Sequence, residues 1–347
     1  MKPIRNRTHP GVALSIVAML GGVTMQANTP HAQTAPSSGA TDAIRPADPE
    51  QIVDALKAVV GNPPKVRATF AKGQCVRGTY TPSERVSEIT RSLSFTQPSS
   101  VVGRFSVGGG NPKVADTNNA VLRGFSFKLG NEGHMSDLLV ESAPVHFARN
   151  LDQMLAFLKA RIPGPDGKPD LEKVKAFTAA NPETAHQAQF IAARHLPGSF
   201  AGVTYWGVHS FPATNASGQT RFIKFKVVPA SGAEITLTED EAKAKPADFL
   251  VQDLEKRLAE GAIRFNILAI LDRPGDPTMD VTTRWPDEDA RETVQVGTVA
   301  ITRLENNETC DRTIFNPGNL ADGISHPKDE IFHARLTAYA ISLAKRQ

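Results

Sequence analysis

From Val66 to Leu304 the chain is cut by glycine and proline clusters into short runs in which apolar and polar residues alternate. That pattern restricts the fold most, because a period of two suits a strand with one buried face and no helix can use it. The runs fall at Arg67–Gly73 leading into Cys75–Tyr80, at Val101–Ser106, Arg123–Leu129 and Asp137–Val140, at Thr204–Phe211 and Thr220–Pro229, and at 264–271, 279–284 and 296–304. Helical periods interrupt them near 49–60, 150–160, 170–180 and 240–260. Many strands with helical insertions predict an α+β fold, an antiparallel β-barrel with helices packed on it.

The last stretch, Asp329 to Arg346, reads as one more helix. His326-Pro327 supplies a start signal with proline at the first helical position, and Asp329 and Glu330 suit the positive helix end. Ile331, Phe332, Ala338, Ile341 and Leu343 form its apolar stripe. Arg335 precedes Tyr339 by one turn, and Arg346 lies close to the same face. A free phenol has a pKa of about 10, and a guanidinium within hydrogen-bond reach favours the phenolate, a hard anion suited to ferric iron. Taken alone, the pair reads first as a surface arginine beside a half-buried core ring.

The wording around the pair narrows the choice. Phe315-Asn-Pro317, Gly323-Ile324 and Arg335-Leu-Thr-Ala-Tyr339 resemble the proximal haem segment of the catalase family, in which tyrosine binds the iron. The resemblance runs through most of 67–347: Arg67-x-x-x-Ala71-Lys72-Gly73, Arg104-Phe-Ser106, Ala115-Asp-Thr117, Arg123-Gly-Phe125, Gly207-Val-His209 and Phe222-Ile-Lys-Phe225 all recur in order. Length points to the smaller catalase-related peroxidases. The resemblance implies a catalase-like core holding haem b, with Tyr339 as iron ligand, Arg335 keeping it phenolate, and Arg67, Arg104 and Arg346 on the propionates. His209 would stand behind the site or at its edge. Bidentate arginines suit two carboxylates at a pocket rim.

The departures are on the distal side. The family has histidine where this chain has Phe70, and asparagine where it has Glu141. Phenylalanine carries no proton, so Glu141 and His146 are the titratable candidates left for acid–base work. The alternatives are a strand-end carboxylate and an aromatic replacement in the packing. The implied activity is a haem peroxidase that uses hydrogen peroxide or an organic hydroperoxide to oxidise a small reductant, with weak catalase activity. The rival is a haem-binding or haem-sensing barrel without turnover. A hydrolase lacks its motifs, since neither Gly-x-Ser-x-Gly nor His-Glu-x-x-His occurs.

Residues 1–27 carry Lys2, Arg5 and Arg7, then an apolar run and small residues, the order of a secretory signal. Residues 28–48 read as a flexible lead-in, 49–347 as the haem domain, and the exported protein as periplasmic. Without those three cations, the 39 basic residues fall to the 36 of the acids, which gives no reason to expect nucleic acid or membrane insertion as a partner. Homo-oligomers remain open. Cys75 and Cys310 are either a disulfide, as an oxidising compartment favours, or two buried thiols.

Overall fold

A computed structural model describes residues 46–347; the expected leader and nearly all of the lead-in lie outside them. Ala47 and Asp48 belong to the folded domain. The Ala47 amide donates to Asp152 Oδ1 at 2.7 Å, and the Asp48 carboxylate caps the helix Pro49–Ala58 through the Gln51 amide.

The strands are β1 (Lys72–Pro82), β2 (Ser99–Val107), β3 (Arg123–Leu129), β4 (Ser136–Glu141), β5 (Leu196–Pro197), β6 (Tyr205–Trp206), β7 (Phe211–Thr214), β8 (Thr220–Pro229), β9 (Thr236–Leu237), β10 (Ile263–Leu271) and β11 (Thr293–Leu304). All ladders are antiparallel. The order β10-β11-β1-β2-β3-β4-β6-β8 is closed by a β8–β10 ladder into a barrel, β7 forms a hairpin with β8, and β5 pairs with β9 apart from it. Closure leaves few open edges for another chain to pair with.

Alternation decides what each face does. Phe105, Phe125, Phe127, Tyr205 and Phe265 point inward and are fully buried. Phe105 stacks on Phe125 at 4.3 Å and on Phe200 at 5.3 Å, so the barrel interior is filled with rings. Each such ring contributes about 1.5–3 kcal/mol by burial. The intervening positions face outward on adjoining strands: Arg104 pairs with Ser126 and Ser106 with Gly124, and these in turn pair with Leu139 and Glu141. The resulting outer patch sets Arg104 and Glu141 among serine, glycine and Leu139, and the cavity described below lies on it.

Several expected elements differ. Arg67–Ala71 is not a strand: β1 starts at Lys72, because the carbonyls of Phe70 and Ala71 are taken by the Arg104 guanidinium at 2.9 and 3.0 Å. Phe70 itself has φ of 51°, which a ladder does not accept. Residues 279–284 are not a strand either. The Asp280 carboxylate accepts from the Thr282 amide and hydroxyl at 2.9 and 2.6 Å, a local turn that competes with pairing. The run Thr204–Phe211 breaks after Trp206, where His209 turns into a buried contact with Asp329. Helix 240–260 is two helices, Glu239–Lys243 and Phe249–Glu260, with Pro246 between them. In the terminal helix Asp329 is the N-cap and Pro327 precedes it; the Phe332 amide donates to Asp329 Oδ1 at 2.8 Å.

Cys75 and Cys310 are joined in a disulfide. It closes a loop of 235 residues, for which chain entropy alone gives about 5 kcal/mol. The denaturant midpoint is therefore expected to fall clearly when the bond is reduced. A midpoint unchanged by a reductant shown by mass to have opened the bond would mean that the loop carries no such constraint.

Candidate active site

A cavity of about 360 Å³ lies between the outer patch of β2–β4 and the terminal helix. Positions 331, 334, 335, 338, 339, 342 and 346 turn one face of that helix to it. This face crosses the expected apolar stripe: Ile331 and Ala338 belong to it, whereas Ile341 and Leu343 stand half-buried outside. Helix Pro49–Ala58 adds Ile52, Val53 and Leu56, helix Leu151–Lys159 adds Leu151 and Met154, and Phe147, Trp206 and Phe315 complete a mostly apolar wall.

Tyr339 ends a continuous polar chain. Arg335 Nη2 donates to Tyr339 Oη at 2.9 Å, and Arg335 Nη1 lies 2.7 Å from His209 Nε2. The His209 Nδ1 lies 2.9 Å from Asp329 Oδ2. Because Arg335 has only donors, His209 Nε2 must accept, and Nδ1 carries the proton given to Asp329. His209 and Asp329 are 2% and 0% exposed. Burial lowers the His209 pKa more than Asp329 raises it, which keeps the imidazole neutral and able to accept from Arg335. For Arg335 burial acts downward, yet the tyrosine, Glu141 and Asp329 outweigh it, and its pKa is raised. His209 thus stands behind Arg335 and does not line the cavity.

Three further arginines gather at another part of the wall. Arg104 holds the Phe70 and Ala71 carbonyls; Arg67 Nη2 donates to the Cys310 carbonyl at 2.6 Å and pairs with Asp311 at 3.2 Å. Arg346 Nη2 donates to the carbonyls of Thr313 at 2.6 Å and Asp311 at 3.2 Å. Burial, then the mutual repulsion of the cluster, pulls Arg104 down to about 9; burial and Arg67 pull Arg346 down to about 10. The buried Nε–H groups of Arg67, Arg104 and Arg346 have no hydrogen-bond partner. Three crowded guanidiniums with unused donors make a site for anionic oxygens. With a phenol held by an arginine and an apolar wall, these residues fit a flat apolar group bearing two carboxylates, as haem does.

Phe70, Glu141 and His146 line the same cavity. The Phe70 ring lies so close to Gly124 that a Cβ there would come within 2.9 Å of it. Gly124 is therefore needed for the ring to rest on β3. Glu141 Oε1 accepts from Gln187 Nε2 at 2.9 Å, and enclosure by protein pushes the carboxyl up to about 7. Burial pushes His146 down to about 4, and its Nδ1 is occupied 2.8 Å from the Ala148 carbonyl. Sequence reading missed Gln187, which sits on an unanticipated helix, His186–Ala192, and Trp206. It also missed the wall helix Pro49–Ala58 as part of the site.

The family model for catalase matches residues 51–347. The chain belongs to the catalase family. It is thereby an oxidoreductase acting on peroxide, with haem the cofactor expected of the family. A catalase-related peroxidase from Synechococcus elongatus is 33% identical over 99% of this chain and 98% of that protein. A second, from Mycolicibacterium paratuberculosis, is 30% identical over 86% of this chain and 94% of that protein. Among solved structures, a fungal catalase superposes with a TM-score of 0.73 at 20% identity, covering 85% of this chain and 62% of that one. Catalase A from Saccharomyces cerevisiae gives 0.73 at 21% identity, covering 85% and 64%. The chain spans less than two thirds of the length of those two catalases.

Proposed function

We propose that the protein is an exported peroxidase that holds haem b and oxidises a small reductant with hydrogen peroxide or an organic hydroperoxide. The observation that carries this reading is the chain Tyr339–Arg335–His209–Asp329 opening on a cavity also lined by three clustered arginines whose Nε–H groups have no partner. Tyr339 Oη, to which Arg335 Nη2 donates, would hold the iron, and Arg67, Arg104 and Arg346, which line the cavity, would hold the two propionates. Bound haem supplies a ferric iron at which peroxide is activated.

The remaining work is proton transfer. Phe70 cannot take part, and burial pushes His146 down to about 4, which makes it a weaker base than Glu141. Glu141 is the better group: Gln187 fixes Oε1 and leaves Oε2 to take the proton of the peroxide and return it to the departing oxygen. The apolar Phe70 also widens tolerance for apolar peroxides. The lead segment that reads as a secretory signal, and a paired cysteine, support export to an oxidising compartment.

An absorption spectrum of the purified protein with a haem assay tests the cofactor, and peroxide-dependent dye oxidation tests turnover. Haem without turnover would favour a haem-binding barrel. A pH profile tests Glu141. Its pKa is raised and the ionised form is the base, so turnover should rise with pH through about 7 and fall away below it. Glu141→Gln should remove that limb; an unchanged acid limb would clear Glu141 of the role.

A further inference from the structure

The disulfide lies directly behind the arginine cluster, and this placement has a chemical use. Cys75 stands opposite Arg104 in the β1–β2 ladder. The Cys310 carbonyl is the 2.6 Å acceptor of Arg67, and the next turns of chain, Asp311 and Thr313, provide the carbonyls that hold Arg346. One covalent bond therefore ties the segment that aims two arginines to the strand beside the third. Cys75 and Cys310 are both 0% exposed, and they pack with Phe315 and Leu139, which line the cavity.

The other links between that segment and β1 are non-covalent and gather at residues 305–307, ahead of the residues that hold the arginines. The Cys75 amide donates to Asn307 Oδ1 at 2.7 Å, the Glu305 amide donates to the Cys75 carbonyl at 2.9 Å, Gln74 Nε2 donates to the Glu305 carbonyl at 2.8 Å, and Arg77 pairs with the Glu305 carboxylate. The Arg67–Asp311 pair has a half-exposed aspartate, and such a pair holds little in water. Three like charges crowded at one wall repel, so without a covalent anchor they separate most readily at the segment that bears their acceptors.

Resting on the haem reading, we propose that the Cys75–Cys310 disulfide positions Arg67 and Arg346, so that the oxidised protein grips a ligand through its carboxylates and the reduced protein grips it less. Reduction breaks the S–S bond: a dithiol gives two electrons and two protons, two thiols form, and the dithiol leaves as a cyclic disulfide. The clamp is then complete only in an oxidising compartment.

The experiment reads ligand release. Wild-type protein and Cys75→Ala/Cys310→Ala are loaded with haem or with haem dimethyl ester, in which both carboxylates are masked. Transfer to an excess of a haem-scavenging globin is followed optically, with circular dichroism to confirm the fold. The double variant should release haem about ten-fold faster, while release of the ester changes by less than about two-fold. Equal acceleration of both ligands would mean general loosening and would overturn the proposal, as would no acceleration of either. Should the double variant not fold, the same pair of ligands is compared on wild-type protein opened with a dithiol, its thiols counted by mass. A wild-type protein that retains neither ligand sinks the haem reading, and the proposal with it.

Discussion

Tyr339→Phe, expressed with haem in supply, should retain roughly a tenth or less of the wild-type haem, since even the loss of an outer partner typically costs 10–100-fold in affinity. The substitution removes one oxygen and keeps the ring. Because Tyr339 lies on a helix face whose burial comes from Ile331 and Phe332 further up, the fold should survive. It also leaves Arg335 without its phenol partner in an enclosed setting. Arg335→Ala, by contrast, keeps the proposed ligand atom and should retain part of the haem with an altered spectrum, because the phenol oxygen loses the hydrogen bond it accepts from Arg335 at 2.9 Å. Full haem and an unaltered spectrum in Tyr339→Phe would show that the ligand lies elsewhere.

The second large effect concerns the distal residues. Disproportionating two peroxides needs a proton relay in both halves of the cycle, and a positioned acid–base group contributes typically 10²–10⁴-fold. Phe70→His should therefore raise oxygen evolution from hydrogen peroxide by about 10²-fold, the low end of that range. The backbone favours the exchange. Phe70 sits at φ of 51°, a region where histidine is found several times more readily than a bulky aromatic residue. Glu141→Gln should lower peroxidase turnover roughly ten-fold or more, while Gln187 still finds an oxygen to bond. If Glu141→Gln is silent and His146→Ala abolishes turnover, the relay belongs to His146. If neither matters, the protein holds haem without protein-assisted proton transfer.

The barrel was legible because its strands alternate, and alternation reports one buried face whatever the partner strands are. The failures are local. Arg67–Ala71 alternates like a strand, yet its carbonyls go to Arg104, a contact 33 and 34 positions away in sequence that no periodicity shows. Residues 279–284 look extended, but Asp280 turns the chain upon itself. At the site, Tyr339 and Arg335 were readable because one helical turn separates them. The three arginines converge from the two ends of the domain and from β2, so only the family resemblance brought them together. Gln187 carries no local signal at all: its meaning is the 2.9 Å contact with Glu141, 46 residues before it.

The wall that encloses the cavity is made from the two extremities of the domain. Helix Pro49–Ala58 packs on helix Glu330–Ala344, and Lys345 reaches the carboxylates of Asp54 and Glu50. During biosynthesis the strands of the outer patch leave the ribosome long before the helix that bears Tyr339, Arg335 and Arg346. A nascent chain can thus assemble most of the barrel while the pocket still lacks a side. On the haem reading, cofactor capture would wait for the helix that bears Tyr339 and Arg335, and a chain cut before that helix would keep the barrel strands with one side of the pocket missing.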